Sequence, residues 1–196
     1  ELGIVALKNG WESYIAFGRG NNESASHQYR IGSDLTMYRN ALFARMFDSE
    51  GFEAKHSTKK FIQYIDDIKP DIIQIHNLHG YYLNLEMLFN YLKDSDVPIV
   101  WTLHDCWSFT GHCTHFDYVG CNKWITECTK CTQKKKYPSS LLLDNSKINF
   151  LKKKEIFSSI KKLTLVTPSN WLSDLVKRSF LSDHSLKVIN NGINIS

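Results

Sequence analysis

The sequence predicts an α/β protein built on a parallel, doubly wound sheet, and three observations carry that prediction. Short β-branched runs (Asp71–Ile75, Val97–Leu103, Leu163–Thr167 and Leu186–Ile189) are each separated from the next by a helical pattern. Strands and helices that alternate in this order build parallel sheets. Val97–Leu103 is β-branched and aromatic with no charge, the signature of a strand buried on both faces. Finally, histidines follow two of these runs directly, at His76 and at His104. In a parallel sheet both strand ends open onto the edge where ligands bind.

Taken in order, Leu2, Val5 and Ala6 read as the end of a helix closed by Lys8-Asn9-Gly10, with a strand following at Ser13–Phe17. A chain that opens in mid-helix is expected to lack the first strand of its sheet. Asp34–Phe47 carries Leu35, Tyr38, Leu42 and Met46 at helical spacing. Thr58–Lys69 puts Phe61, Ile62, Ile65 and Ile68 on one face before Pro70 stops it. Asn84 caps Leu85–Lys93, whose stripe is Leu85, Leu88, Phe89 and Leu92. Asn145–Ile160 reads as a helix without one tidy apolar face. Ser169 caps a helix bearing Trp171, Leu172, Leu175 and Val176, and Val188–Ile193 reads as a further strand running into Asn191-Gly192.

At 196 residues and 42% hydrophobic content, the chain can bury the core of one domain, or of one domain with an insertion. The net charge of +4 is uneven: nine lysines lie between Gln133 and Lys162, against Asp144 and Glu155. That block suits acidic lipid headgroups, nucleic acid or plain solvent, with a solvated face as the default. No stretch is apolar for the roughly 18 residues of a membrane span, and the start has no signal-peptide pattern. A cytoplasmic location is expected.

Chemistry concentrates in two places. His76-Asn77-Leu78-His79 and His104-Asp105 bring three imidazoles and an Asn/Asp pair to one sheet edge. Imidazole titrates near neutral pH and can bond a phosphate or a sugar hydroxyl; the plainer alternative is that these rings only satisfy loop backbone. All five cysteines lie in residues 106–138, and Cys113, Cys121, Cys128 and Cys131 follow a C-x7-C-x6-C-x2-C spacing. The final C-x2-C can grip one tetrahedral ion, so structural zinc is the expected cofactor, with His112 or His115 as substitutes if a cysteine stays out. Free thiols, a disulfide and an iron–sulfur cluster are the alternatives. A loop of about 30 residues with little periodicity needs fastening of some kind. Cys106 reads as a small buried residue. Trp101, Trp107, Phe109, Phe116, Tyr118 and Trp124 read mainly as packing, with Trp107 or Tyr118 as a possible platform for a sugar ring.

The segments PDIIQIHNLHGYY, PIVWTLHDCWSFTGHC, the later C-x6-C-x2-C, LVTPSNWLSDLV and VINNGIN, in this order, resemble the N-terminal domain of GT-B-type retaining glycosyltransferases of family 4. The likeness is to the bacterial branch that makes capsular, exopolysaccharide or colanic-acid-type glycans. The resemblance implies that residues 1–196 form a Rossmann-like, acceptor-side domain that is incomplete at its start. A Cys-rich insertion would occupy residues 106–138, and the C-terminal nucleotide-sugar domain would be absent. It implies His104 as the catalytic residue that reaches the donor sugar, and His76, Asn77, His79, Asp105 and Ser169 as substrate-binding residues. Asn191 and Gly192 would be the hinge into the second domain. The implied partners are a nucleotide-diphosphate sugar, a glycan or lipid-linked acceptor, the protein's own C-terminal domain and peripherally an anionic membrane. No catalytic metal is implied. The family's glycine-rich loop after the first strand and its Glu-x7-Glu motif are missing, so the chain alone is expected not to turn over. Two other readings compete: a zinc-knuckle module for nucleic acid, suggested by Lys134–Lys136 after the C-x2-C, and a scaffold without activity.

Overall fold

A computed structural model describes residues 2–20 and 23–192. In chain order its regular elements are α1 (Leu2–Lys8), β1 (Tyr14–Phe17), β2 (His27–Arg30), α2 (Asp34–Phe47) and α3 (Lys55–Ile68). They continue as β3 (Ile73–Ile75), α4 (Leu85–Asp94), β4 (Ile99–Thr102), α5 (Ser146–Ser158), β5 (Leu163–Thr167), α6 (Asn170–Val176) and β6 (Ser185–Val188). Three single-turn 3₁₀ segments (Trp107–Phe109, Asp117–Val119 and Lys123–Ile125) punctuate the long loop between β4 and α5.

The main sheet has four strands in the order β3-β4-β5-β6, and β1 and β2 pair in a separate ladder. Every pairing is parallel, with Ile73 opposite Ile99, Ile99 opposite Leu163 and Thr164 opposite Ser185. The predicted α/β class and parallel sheet hold. The four-stranded order advances in one direction, so the reversal of a doubly wound sheet does not occur among these four strands. The β2 strand escapes the sequence pattern because HQYR has no apolar alternation. The strand expected over Val188–Ile193 is not formed past Val188, where β6 and its pairing with β5 end, and Ile193 lies outside the described residues.

The core explains why β4 is apolar. Ile99 and Trp101 are buried on it, Leu103 follows, and α4 delivers Leu85, Leu88, Phe89 and Leu92 against them. Phe89, Trp101 and Phe157 form an aromatic triad with ring centroids 4.5–5.5 Å apart. Asn84 fixes the start of α4: its Oδ1 accepts the Met87 N–H at 3.0 Å, and its own N–H donates to Thr58 Oγ1 at 2.7 Å. The cap thereby ties α4 to α3.

Two predicted faces are corrected. On α2 the stripe of Leu35, Tyr38 and Leu42 is solvent-facing, while Met37, Asn40 and Ala44 are buried. The reason is polar: Asn40 Nδ2 donates to the Tyr81 carbonyl at 2.9 Å, which turns that face inward. The α5 helix shows no tidy face because it buries Asn149 and Lys153 beside Phe150, Ile156 and Phe157. Both polar side chains have fixed partners, Asn149 on the Asp48 carbonyl and Lys153 on the β4–α5 loop. Trp171 of α6 is likewise about half exposed, whereas Leu172, Leu175 and Val176 are buried.

Candidate active site at the carboxyl edge of the sheet

The β3 and β4 strands end side by side, so their following residues meet. Trp101 Nε1 donates to the His76 carbonyl at 3.0 Å and pins the turn after β3 to the body of β4. His76 Nδ1 and His104 Nε2 are 3.0 Å apart, and the rings stack with centroids at 5.4 Å. One ring must donate and the other accept. Burial, and then the neighbouring His104, hold His76 below the ordinary imidazole value. The contact uses one nitrogen of each ring, so the other nitrogen of each can bond a hydroxyl. His104 is exposed, lying past the buried run of its strand.

A second pair stands beside the first. His79 Nε2 is 2.9 Å from Asp105 Oδ2, its Nδ1 is 3.3 Å from the Tyr137 hydroxyl, and its edge faces Trp107 with centroids 5.5 Å apart. Asp105 Oδ1 accepts the Trp107 N–H at 2.8 Å. Burial alone would raise the Asp105 carboxyl, but the His79 hydrogen bond and the Trp107 amide outweigh it and hold the group below its usual value. The result is an anchored carboxylate–imidazole pair at the rim.

Beneath the rim lies a charged layer that sequence reasoning missed. Glu50 is buried; its Oε1 accepts the Gly80 N–H at 3.0 Å and so shapes the loop that carries His79. Burial raises its carboxyl above the ordinary value, against the pull of His79 and Lys153. Glu50 Oε2 has no hydrogen-bond partner among the described residues. Lys153, 1% exposed, donates from Nζ to the carbonyls of Trp107 at 2.8 Å and Thr110 at 3.2 Å, and sits 3.4 Å from the centroid of the Trp107 ring. Burial pulls its ammonium down to about 7, opposed by Glu50 and Asp105. Lys153 is therefore the one member of the lysine block between Lys134 and Lys162 that is buried rather than solvated. The untidy face of α5 was the available signal for it. Glu50 and Tyr137 gave none, because each sits in a short turn with no periodicity.

The remaining predicted residues are placed less centrally. The Asn77 carbonyl accepts the Tyr82 hydroxyl at 2.5 Å. Ser169 follows β5 at the same sheet edge, but its hydroxyl is engaged as the α6 cap, accepting the Leu172 N–H at 3.3 Å. Asn191 and Gly192 are exposed beyond β6. In the long loop, Trp107 is 2% exposed under the His79 pair, while Tyr118 is 66% exposed and its hydroxyl donates to Gln133 Oε1. Burial pushes the Cys106 thiol up to about 12, which fits an inert packed residue. Cys113, Cys121, Cys128 and Cys131 converge on one cavity. Among the described residues, no three Cys, His, Asp or Glu side chains already stand around one point as metal ligands.

A parallel α/β sheet with paired histidines at its carboxyl edge places a candidate ligand site where such sheets carry one, and comparison with known families gives the class of the chain. The chain belongs to glycosyltransferase family 4, whose family model, Glycosyltransferase Family 4, matches residues 7–196. It is also similar to the Putative colanic acid biosynthesis glycosyl transferase WcaC of Escherichia coli (strain K12), at 30% identity over 205 residues. That match covers 97% of this chain and 49% of the relative, so the chain spans about half the length of this curated protein. No solved structure matches at a significant level.

Proposed function

We propose that this chain is the acceptor-side half of a retaining glycosyltransferase. The whole protein would move a sugar from a nucleotide-diphosphate donor to a glycan or lipid-linked acceptor in surface-polysaccharide synthesis. The observation that carries the reading is the His76–His104 contact at 3.0 Å on the carboxyl edge, in a chain that belongs to glycosyltransferase family 4. In this scheme His104 contacts the donor sugar beside the carbon being transferred. His76, His79, Asn77 and Asp105 orient the acceptor, with Ser169 shaping the neighbouring wall. Asn191 and Gly192 lead into a C-terminal donor-binding domain. The acceptor hydroxyl attacks the donor on the face the diphosphate leaves. Its proton passes to the departing diphosphate, so configuration is kept. The chain's own contribution is positioning and hydrogen bonding to developing charge. The whole protein, given nucleotide sugars and lipid-linked acceptor, should release nucleoside diphosphate and give product with the donor's anomeric configuration by NMR. Inverted product would refute the mechanism. The nucleic-acid alternative leaves this edge without a task, whereas family membership gives it one.

The same reading favours work at the cytoplasmic face of an anionic membrane, where lipid-linked acceptors reside. Among the described residues no helix is long and apolar enough to cross a membrane. However, Leu141, Leu142 and Leu143 are exposed, as are Leu42, Phe43 and Phe47 of α2, and the leucine segment is joined to the end of α2 by the Leu141 N–H on the Arg45 carbonyl at 2.7 Å and the Leu143 N–H on the Met46 carbonyl at 3.3 Å. Lys134–Lys136 precede that segment. Each lysine near a charged surface adds about 1 kcal/mol, screened by salt. The whole protein should therefore sediment with anionic vesicles at low salt and much less with neutral ones. Equal recovery with both would remove the proposal.

A further inference from the structure

The β4–α5 loop holds a cluster that the transfer chemistry does not use. Cys113, Cys121, Cys128, Cys131 and His112 line one cavity of about 20 Å³, room for about one atom-sized sphere. We infer that this cavity is a structural zinc site, with the four cysteine sulfurs as ligands and His112, held by Asp48, supporting them from behind.

Four observations converge on it. First, His112 is buried, with its Nδ1 2.5 Å from Asp48 Oδ1, while its Nε2 has no hydrogen-bond partner among the described residues. A buried, carboxylate-backed imidazole with an idle second nitrogen is the usual outer partner, or ligand, of a metal. Second, the sulfurs already interact. Cys113 and Cys131 lie close enough for their thiols to hydrogen-bond to each other. Third, the backbone amides of Gly111 and Gln133 are aimed at the Cys128 and Cys131 sulfurs. Fourth, Gly111 permits the close approach: a Cβ there would lie 2.9 Å from Cys128 Cβ and 2.0 Å from the Ser146 carbonyl.

Asp48 explains why the site also matters for the fold. It closes α2 in the left-handed conformation at φ 51, and its Oδ2 accepts the Asn145 N–H at 2.8 Å just before α5. A metal behind His112 therefore ties α2, α5 and the loop together. Zinc is favoured over a harder ion because four cysteine sulfurs lining one cavity are soft ligands that would leave no open position. Binding displaces the thiol protons, and the sulfurs then turn inward about their side-chain bonds to complete the tetrahedron.

The whole protein, purified without added metal, should contain about one zinc per chain. Cobalt exchanged into the site should give the visible bands and sulfur charge-transfer absorption of a four-thiolate tetrahedron. Cys121→Ser, in the half-exposed part of the loop, should lose the metal. His112→Ala should keep it but bind it about 10–100-fold more weakly. Should a variant fail to fold, thiol counting on the wild type decides: chelation should expose four extra reactive thiols, and added zinc should protect them again. Metal-free folded protein with four reactive thiols, a disulfide among them, an iron–sulfur chromophore, or a three-sulfur cobalt spectrum indifferent to Cys121→Ser would each overturn the assignment. These readouts do not depend on sugar transfer, so they stand or fall separately from the proposed function.

Discussion

His104→Ala should lower kcat of the whole enzyme by about 10²–10³ while leaving its melting temperature and donor affinity nearly unchanged. The size is that of one hydrogen-bond donor aimed at charge that develops only in the transition state. The side chain is exposed, and its one ring contact is His76 at 3.0 Å, so little packing is lost when it is cut back. Loss of His104 also frees His76 Nδ1 to meet water rather than leaving it orphaned in the core. If His104 served only to tie down the loop beyond β4, the variant would lose melting temperature together with activity. Measuring kcat at saturating donor and melting temperature on one sample separates the two. Wild-type kcat in a stable variant would end the catalytic assignment.

Lys153→Met should destabilise the domain by about 1–3 kcal/mol. Methionine keeps most of the volume and the contact with the Trp107 ring. It cannot donate to the carbonyls of Trp107 and Thr110, which receive the Lys153 ammonium at 2.8 and 3.2 Å. A buried acceptor left unpaired costs about 1–3 kcal/mol. The Thr110 carbonyl loses the Lys153 donor, while the Trp107 carbonyl keeps the long 3.4 Å bond from the Thr110 N–H. Glu50 also loses a compensating charge. The loop that carries Asp105 and Trp107 should loosen, so KM for acceptor should rise as well. Denaturant unfolding checks the first effect; a midpoint equal to wild type would show that the buried ammonium contributes nothing net.

Much of the fold was legible because it rests on local rules. The run Val97–Leu103 could only be a covered strand, and Asn84 and Ser169 announced their helices as caps. What stayed hidden depended on distant polar partners. The outward face of α2 was misread because Asn40 follows the Tyr81 carbonyl, 41 positions away, rather than the apolar count. Lys153 looked like one more solvated lysine, since nothing local records that Trp107 and Thr110 would surround it. At the site, the two strand-end histidines were visible as residues. That His76 would pair with His104 and His79 with Asp105, rather than the reverse, depends on strand register and the Trp101 tie to His76. Glu50 and Tyr137 enter only through tertiary structure.

The central claim is that sugar transfer takes place at the His76–His104 edge. A structure of the whole protein with an unreactive nucleotide-sugar donor tests it most directly. The account predicts the transferring sugar within hydrogen-bonding distance of the His104 imidazole, with its anomeric carbon open toward the His76–His79 loop. A donor sugar bound with no contact to His104, or an acceptor entering from a face that excludes His76 and His79, would contradict it.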